Sequence, residues 1–133
     1  MTESPEPFHT RGFRFACDIV RLYFALVSAG KCPPHLYRQV LSSGTSIGAN
    51  LEEAQSAQSR RDKAAKISIA LKEARETHYW LRLIVATELA SGKQLQPQLA
   101  EANELIAILT VTRRKLNKPQ PSGTNRPTAD HSG

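Results

Sequence analysis

Three polar residues, Ser46, Asn50 and Glu53, step by 4 and 3 along the chain and so share one face of a helix. A hydroxyl, an amide and a carboxylate on one face are the ingredients of an acid–base site. Nucleophilic catalysis, however, needs a nucleophile beside a base that a third group orients. None of the four histidines has such a partner in sequence. His9 and His131 fall in loose ends, His35 starts a helix and His78 lies on an apolar stripe. The Ser46–Asn50–Glu53 face therefore reads as a solvated or internally bonded stripe, and no catalytic residue is assigned. Glu76 and His78 are two apart, point to different sides of a helix, and do not make a metal site. Cys17 and Cys32 are too few for a disulfide framework and fit no metal spacing, so they read as buried or half-buried thiols. Neither a metal nor an organic cofactor is expected. Gly44 and Gly48 do not form a phosphate loop; with Ser46 and Ala49 they read as small residues that let helices approach closely.

The chemistry that remains is charge. Lys and Arg total 18 against 12 Asp and Glu, a net charge of +6, and the isoelectric point is near 9.7. Two basic runs stand out, Arg60-Arg61-Asp62-Lys63 with Lys66, and Arg113-Arg114-Lys115. Arg11 and Arg14 are a third source.

The elements that must position these residues are helices. Between a loose, proline-bearing arm (residues 1–10) and a polar tail (117–133) lie four segments with apolar residues at helical spacing. The tail is rich in Pro, Ser, Thr, Gly and Asn and is expected to be disordered. The first segment, about 12–29, carries Phe15, Ile19, Leu22, Leu26 and Ala29, with Gly30 as its stop. The second opens at Pro33-Pro34, runs to about Ala57 and carries Val40, Gly44, Ile47, Leu51 and Ala54. The third starts at the cap-like Ser59 with Asp62 three residues on. It carries Ala64, Ile67, Leu71, Ala74, His78, Leu81 and Val85, and ends near Gly92. The fourth starts around Pro97 and carries Leu99, Ala102, Ile106, Leu109, Arg113 and Leu116. Steps averaging 3.5 residues predict packing at small crossing angles. Short connections predict an all-α, antiparallel up-down-up-down four-helix bundle over residues 11–116.

That topology gathers the charge. The start of the first helix, the start of the third and the end of the fourth meet at one pole. Ten cations fall there: Arg11, Arg14, Arg60, Arg61, Lys63, Lys66, Arg113, Arg114, Lys115 and Lys118. Only Glu52, Glu53 and Asp62 oppose them, leaving about seven positive charges. A basic pole attracts phosphate backbones by counterion release, without reading sequence.

The third segment has a second apolar face, formed by Ile69, Ala70, Tyr79, Trp80, Leu83, Ile84 and Ala86. The first has another, formed by Phe13, Ala16, Val20, Tyr23, Phe24 and Val27. Either the other helices wrap these faces or a second subunit covers them; large exposed apolar patches usually mark contacts. Tyr79, Trp80, Leu83 and Ile84 are the expected oligomer interface. No uncharged apolar run approaches the roughly 18 residues of a membrane span. The first residues lack a signal pattern, so a cytoplasmic location is expected.

The stretch GTSIGAN, then LEEA, then SRRDKAAKISIALKEARETHYWLRLI resembles two helices of a known family. These are the second and third helices of the four-helix-bundle proteins encoded in ribosomal RNA intervening sequences. The stretch also resembles the related accessory variability protein of diversity-generating retroelements. The family pattern of a Ser-Ile pair, an Asn three residues later and a Glu three further on falls on Ser46, Ile47, Asn50 and Glu53. The Ser-basic-basic-acid helix start falls on Ser59, Arg60, Arg61 and Asp62. The resemblance covers roughly residues 13–116. The chain departs from it at Gly44, where many relatives carry Arg or Ala, and at Ala64 or Ala65, where they carry an aromatic. The resemblance implies ring-like pentamers of four-helix protomers. Through the retroelement member, it also implies binding to nucleic acid and to a reverse transcriptase. It carries over no catalytic residue.

The sequence thus predicts a homo-oligomeric, pentameric four-helix bundle without enzymatic activity, an accessory or scaffold protein that binds RNA or DNA. The expected contacts are Arg11, Arg14, Arg60, Arg61, Lys63, Lys66, Arg113, Arg114 and Lys115. The alternative is a protein–protein adaptor whose basic surface steers an acidic partner.

Overall fold

The computed structural model describes residues 6–119. Four helices follow one another: α1 (Phe8–Ala29), α2 (Pro34–Gln55), α3 (Arg60–Ala86) and α4 (Gly92–Asn117). Each packs antiparallel on the next in sequence, while α1 and α4 meet over only a short stretch. The molecule is therefore the expected four-helix bundle, with a comparatively open seam between its first and last helices.

Local chemistry sets each boundary. Pro7 occupies the N-cap position of α1 at φ −58°, and its carbonyl accepts from the Arg11 N–H. The helix consequently opens at Phe8, and residues 8–10, expected in the arm, are helical. Gly30 ends α1 in the left-handed region at φ +71°, donating its N–H to Leu26 and Val27. Pro34 opens α2 as its first helical residue. Ser59 caps α3, its Oγ accepting from the Asp62 N–H at 3.0 Å.

The α3–α4 junction departs from expectation. The sequence places the end of α3 near Gly92, but the helix stops at Ala86 and Glu88 takes the left-handed conformation at φ +62°. The Leu89 N–H then reaches the Ile84 carbonyl and the Glu88 N–H reaches Val85, the paired bonds of a Schellman motif. Gly92 instead opens α4, where Ser91 Oγ accepts from the Gln94 N–H at 3.0 Å. Pro97 lies inside α4 rather than at its start. It is exposed and near the helix end, so the backbone bond it forfeits is at the surface.

The core is continuous. Phe15, Ile19, Leu22 and Leu26 of α1 meet Val40, Ile47, Leu51 and Ala54 of α2. These two stripes follow the sequence pattern, apart from Ala29, which is exposed. On α3 the buried set is Ile67, Ala70, Leu71, Ala74, Thr77, Leu81 and Ile84. On α4 it is Leu95, Ala102, Leu105 and Leu109, with Leu99, Ile106 and Leu116 half-buried at the edges. Ile67, Leu71, Ala74, Leu81, Ala102 and Leu109 follow the heptad reading, whereas Thr77, Ile84 and Leu105 are buried in place of their neighbours His78, Val85 and Ile106. Thr77 Oγ1 lies 2.8 Å from Ser43 Oγ and from the Glu73 carbonyl, while the Ser43 hydroxyl donates to Gln39. The two buried hydroxyls satisfy each other across α2 and α3.

The α1–α2 contact is closest where side chains vanish. A Cβ on Gly48 would stand 2.8 Å from the Gly12 carbonyl oxygen, and one on Gly44 would meet Ile19 at the same distance. The small-residue reading of Gly44 and Gly48 rests on this contact; Ala49 is exposed and takes no part.

Candidate nucleic-acid interface

The expected pole forms, but its charges have different occupations. Arg11 sits on the first turn of α1 and reaches α4, with Nε 3.0 Å from Glu101 Oε2 and Nη2 2.8 Å from Glu101 Oε1. Glu104 Oε1 lies 3.8 Å from the same Nη2. The hydrogen bond to Glu101 pushes the Arg11 guanidinium above its ordinary value. Arg14 pairs with Glu6, which raises it in the same way. Lys66 Nζ meets Glu53 at 2.6 Å across α2 and α3. Lys63 stands 5.9 Å over the Phe8 ring, bringing the starts of α1 and α3 together. Glu6 before α1, and Glu101 and Glu104 in the middle of α4, thus add to the acids that oppose these cations. Ten cations against six acids leave about four positive charges rather than seven.

Arg60 has a structural task. Its Nε donates to the Leu116 carbonyl at 3.1 Å and its Nη2 to the Lys115 carbonyl at 2.7 Å. It thereby gives the Leu116 carbonyl a partner, adds a second donor to the Lys115 carbonyl, which already accepts from the Lys118 N–H, and offsets the negative end of that helix. Arg61, Arg113, Arg114, Lys115 and Lys118 make no ion pair among the described residues. These five gather where α3 begins and α4 ends. A groove of about 610 Å³ runs between the two helices, lined by Arg60, Arg61, Ala64, Ala65, Ser68, Leu116, Asn117, Lys118 and Pro119. A second hollow of about 360 Å³ lies on the other side of the α4 end, with Arg113 and Arg114 in its wall. Lys118, a pole residue outside the expected contacts, lies in the groove wall. Its spacing from Lys115, one turn on, was the signal that could have added it.

The polar motif on α2 is bound up internally. Ile47 is buried, Asn50 Nδ2 donates to the Ser46 carbonyl at 2.9 Å, and Glu53 is the partner of Lys66. Glu73 and His78 on α3 show what partial burial does to charge. Burial, then Glu76, pushes the Glu73 carboxyl up; burial, then Arg82, pushes the His78 imidazole down. Among the described residues no three His, Cys, Asp or Glu side chains are grouped to hold a metal ion, and no helix is long and apolar enough to cross a membrane.

The expected subunit face needs one correction. Ile84 is 0% exposed in the protomer's own core and cannot form an outer surface, because its position on α3 is turned between α2 and α4. Ala70 is buried likewise. Trp80 and Leu83 are half-buried and Tyr79 is exposed, its ring edge-on to Trp80. The largest exposed apolar side chains are on α1: Phe13 and Phe24 are each 62% exposed, with Val20 and Val27 between and beyond them.

The model of the 23S rRNA-intervening sequence protein family matches residues 9–111. The chain belongs to this family. A solved structure of a protein of unknown function from Bacteroides thetaiotaomicron, assigned to the S23 ribosomal protein family, is similar at 42% identity and a TM-score of 0.75. The likeness covers 80% of this chain and 97% of that one. No curated protein matches. For an intervening-sequence protein the four-helix architecture is thus found both in this chain and in a relative solved by crystallography.

Proposed function

We propose that this intervening-sequence protein is a homo-oligomeric, non-enzymatic accessory or scaffold protein that binds RNA or DNA backbone through the pole where α3 begins and α4 ends. The observation that carries the reading is the cluster of Arg61, Arg113, Arg114, Lys115 and Lys118, cations with no ion pair among the described residues. Side chains already committed to carboxylates offer little to a phosphate; these five have their charge available. Oligomerisation would repeat the cluster and raise avidity without any new contact.

The test is a gel-shift titration at several salt concentrations, with unrelated RNA and DNA duplexes. Binding is expected to be tight at low salt, weak at physiological salt and indifferent to sequence. Changing Arg61, Arg113, Arg114 and Lys115 together to Gln removes the charge and leaves Arg60 on its carbonyls. This variant should lose binding while keeping its helix content. Each lost contact should lower the salt slope by about 1. If the wild type binds neither polymer at low salt, the protein–protein adaptor reading replaces this one. The exposed Phe13–Val20–Phe24–Val27 face of α1 would then be its docking surface.

A further inference from the structure

The geometry points to a nucleotide subsite in the basic pole: the groove between α3 and α4 takes one unpaired nucleotide, and so gives this end of the molecule a preference for single strands. The inference rests on the phosphate-binding reading of the pole and adds to it a site for the base.

The groove is more than a charged surface. Arg61, Ala64, Ala65 and Ser68 step by 3, 1 and 3 and form one ridge of α3. The Ala64 and Ala65 methyl groups give the groove a small apolar floor. Ser68 adds a hydroxyl at one end and Arg61 a guanidinium at the other. The opposite wall brings Asn117, whose side chain has both a donor and an acceptor, and Lys118. The volume of about 610 Å³ lies within the roughly 300–1,000 Å³ of small-ligand sites.

A nucleotide matches this arrangement part by part. Its base has an apolar face for the alanine floor and an edge for the Asn117 amide and the Ser68 hydroxyl. Its phosphate meets Arg61 and Lys118 at the rim. Free phosphate uses only the rim. A base inside a duplex keeps both faces stacked and cannot reach the floor without being extruded. Among the described residues the groove is open to solvent, so a strand can enter and leave on either side of the bound unit.

Charge alone predicts the reverse preference. A duplex has the higher charge density, so a patch that sees only backbone favours it. The experiment is fluorescence anisotropy of labelled single-stranded and duplex oligonucleotides of equal length, at equal salt, with the full chain. The wild type should bind the single strand more tightly. Ala65 is exposed, so Ala65→Leu fills the groove with an aliphatic side chain that offers a base no stacking face and does not disturb the core. It should lower single-strand affinity about tenfold through loss of the apolar contact and leave duplex affinity unchanged. Ser68→Leu should act in the same direction, and circular dichroism checks that both variants stay helical. A wild type that prefers the duplex, or a filled groove that costs the single strand nothing, overturns the proposal. If no polymer binds at low salt, the backbone reading falls by itself. Calorimetric titration with adenosine monophosphate against inorganic phosphate then decides the groove. Binding of the nucleotide that Ala65→Leu abolishes supports it, and absence of such binding overturns it.

Discussion

At Gly48 the contact between α1 and α2 leaves room for a hydrogen and nothing larger. A Cβ there meets backbone, the Gly12 carbonyl oxygen at 2.8 Å, which cannot swing aside as a side-chain tip would. Alanine is the better helix former by about 1 kcal/mol, but the clash forces the helices apart. Gly48→Ala should therefore lower unfolding free energy by about 1–3 kcal/mol, the usual range for overpacking, as read by chemical denaturation. An unchanged value would mean that α1 slides freely on α2. Glu88 presents the opposite case. It holds a left-handed conformation that costs a residue with a Cβ about 1–2 kcal/mol. Glu88→Gly should relieve that strain, at some cost in unfolded-chain entropy, and raise stability by up to about 1 kcal/mol. A fall in melting temperature would show that the Glu88 side chain itself contributes. His78 adds a pH dependence. Its folded-state value is lowered by burial, so the unfolded chain takes up the proton first as pH falls through 6.5. Stability should decline below that pH until the lowered folded value is passed, and His78→Gln should flatten this decline in pH-resolved melts.

Among the elements, α1 and α4 depend most on a single link. They meet over only a short stretch, and the Arg11–Glu101 fork spans it with both side chains largely covered. Such geometry is stronger than an exposed pair, whose median worth is below about 1 kcal/mol. Arg11→Ala should cost about 1 kcal/mol and speed hydrogen exchange in the first turns of α1 and the middle of α4. Exchange that stays uniform would show that packing alone closes the seam. Arg11 also shows what one sequence leaves unsaid. Its charge was legible, but its partner is 90 residues away in the chain. The same holds for Arg60, which reads as a phosphate ligand until the end of α4 is seen beside it. What was legible is what repeats locally. The α1 and α2 stripes, the Gly30 stop and the Ser59 cap follow from spacing and from short-range hydrogen bonds. The α3–α4 junction was misread because a glutamate, not a glycine, holds the left-handed turn. Moving the start of α4 to Pro97 then hid Leu95 from the core.

For the whole molecule, the question left by the fold is what covers the outside of α1. Phe13, Val20, Phe24 and Val27 step by 7, 4 and 3, the spacing of a coiled-coil seam, yet among the described residues all four stay exposed. Soluble proteins seldom leave such a stripe to water. The homo-oligomer proposed here would bury it, and the interface would centre on α1 rather than on the α3 residues Trp80 and Ile84. Complete burial of one phenylalanine contributes roughly 1.5–3 kcal/mol. Losing Phe13 and Phe24 on every subunit therefore removes several kcal/mol from each contact, enough to dissociate an assembly of micromolar affinity. Phe13→Glu combined with Phe24→Glu should yield a folded, helical monomer, because neither ring is part of the protomer's core. Light scattering at micromolar concentration makes the comparison. An oligomeric wild type and a monomeric variant are expected. Tyr79→Glu, an exposed change on α3, should leave the assembly intact if α1 carries the contact. A wild type that scatters as a monomer would remove the oligomer from the proposed function, and the basic pole would then have to bind nucleic acid as a single copy.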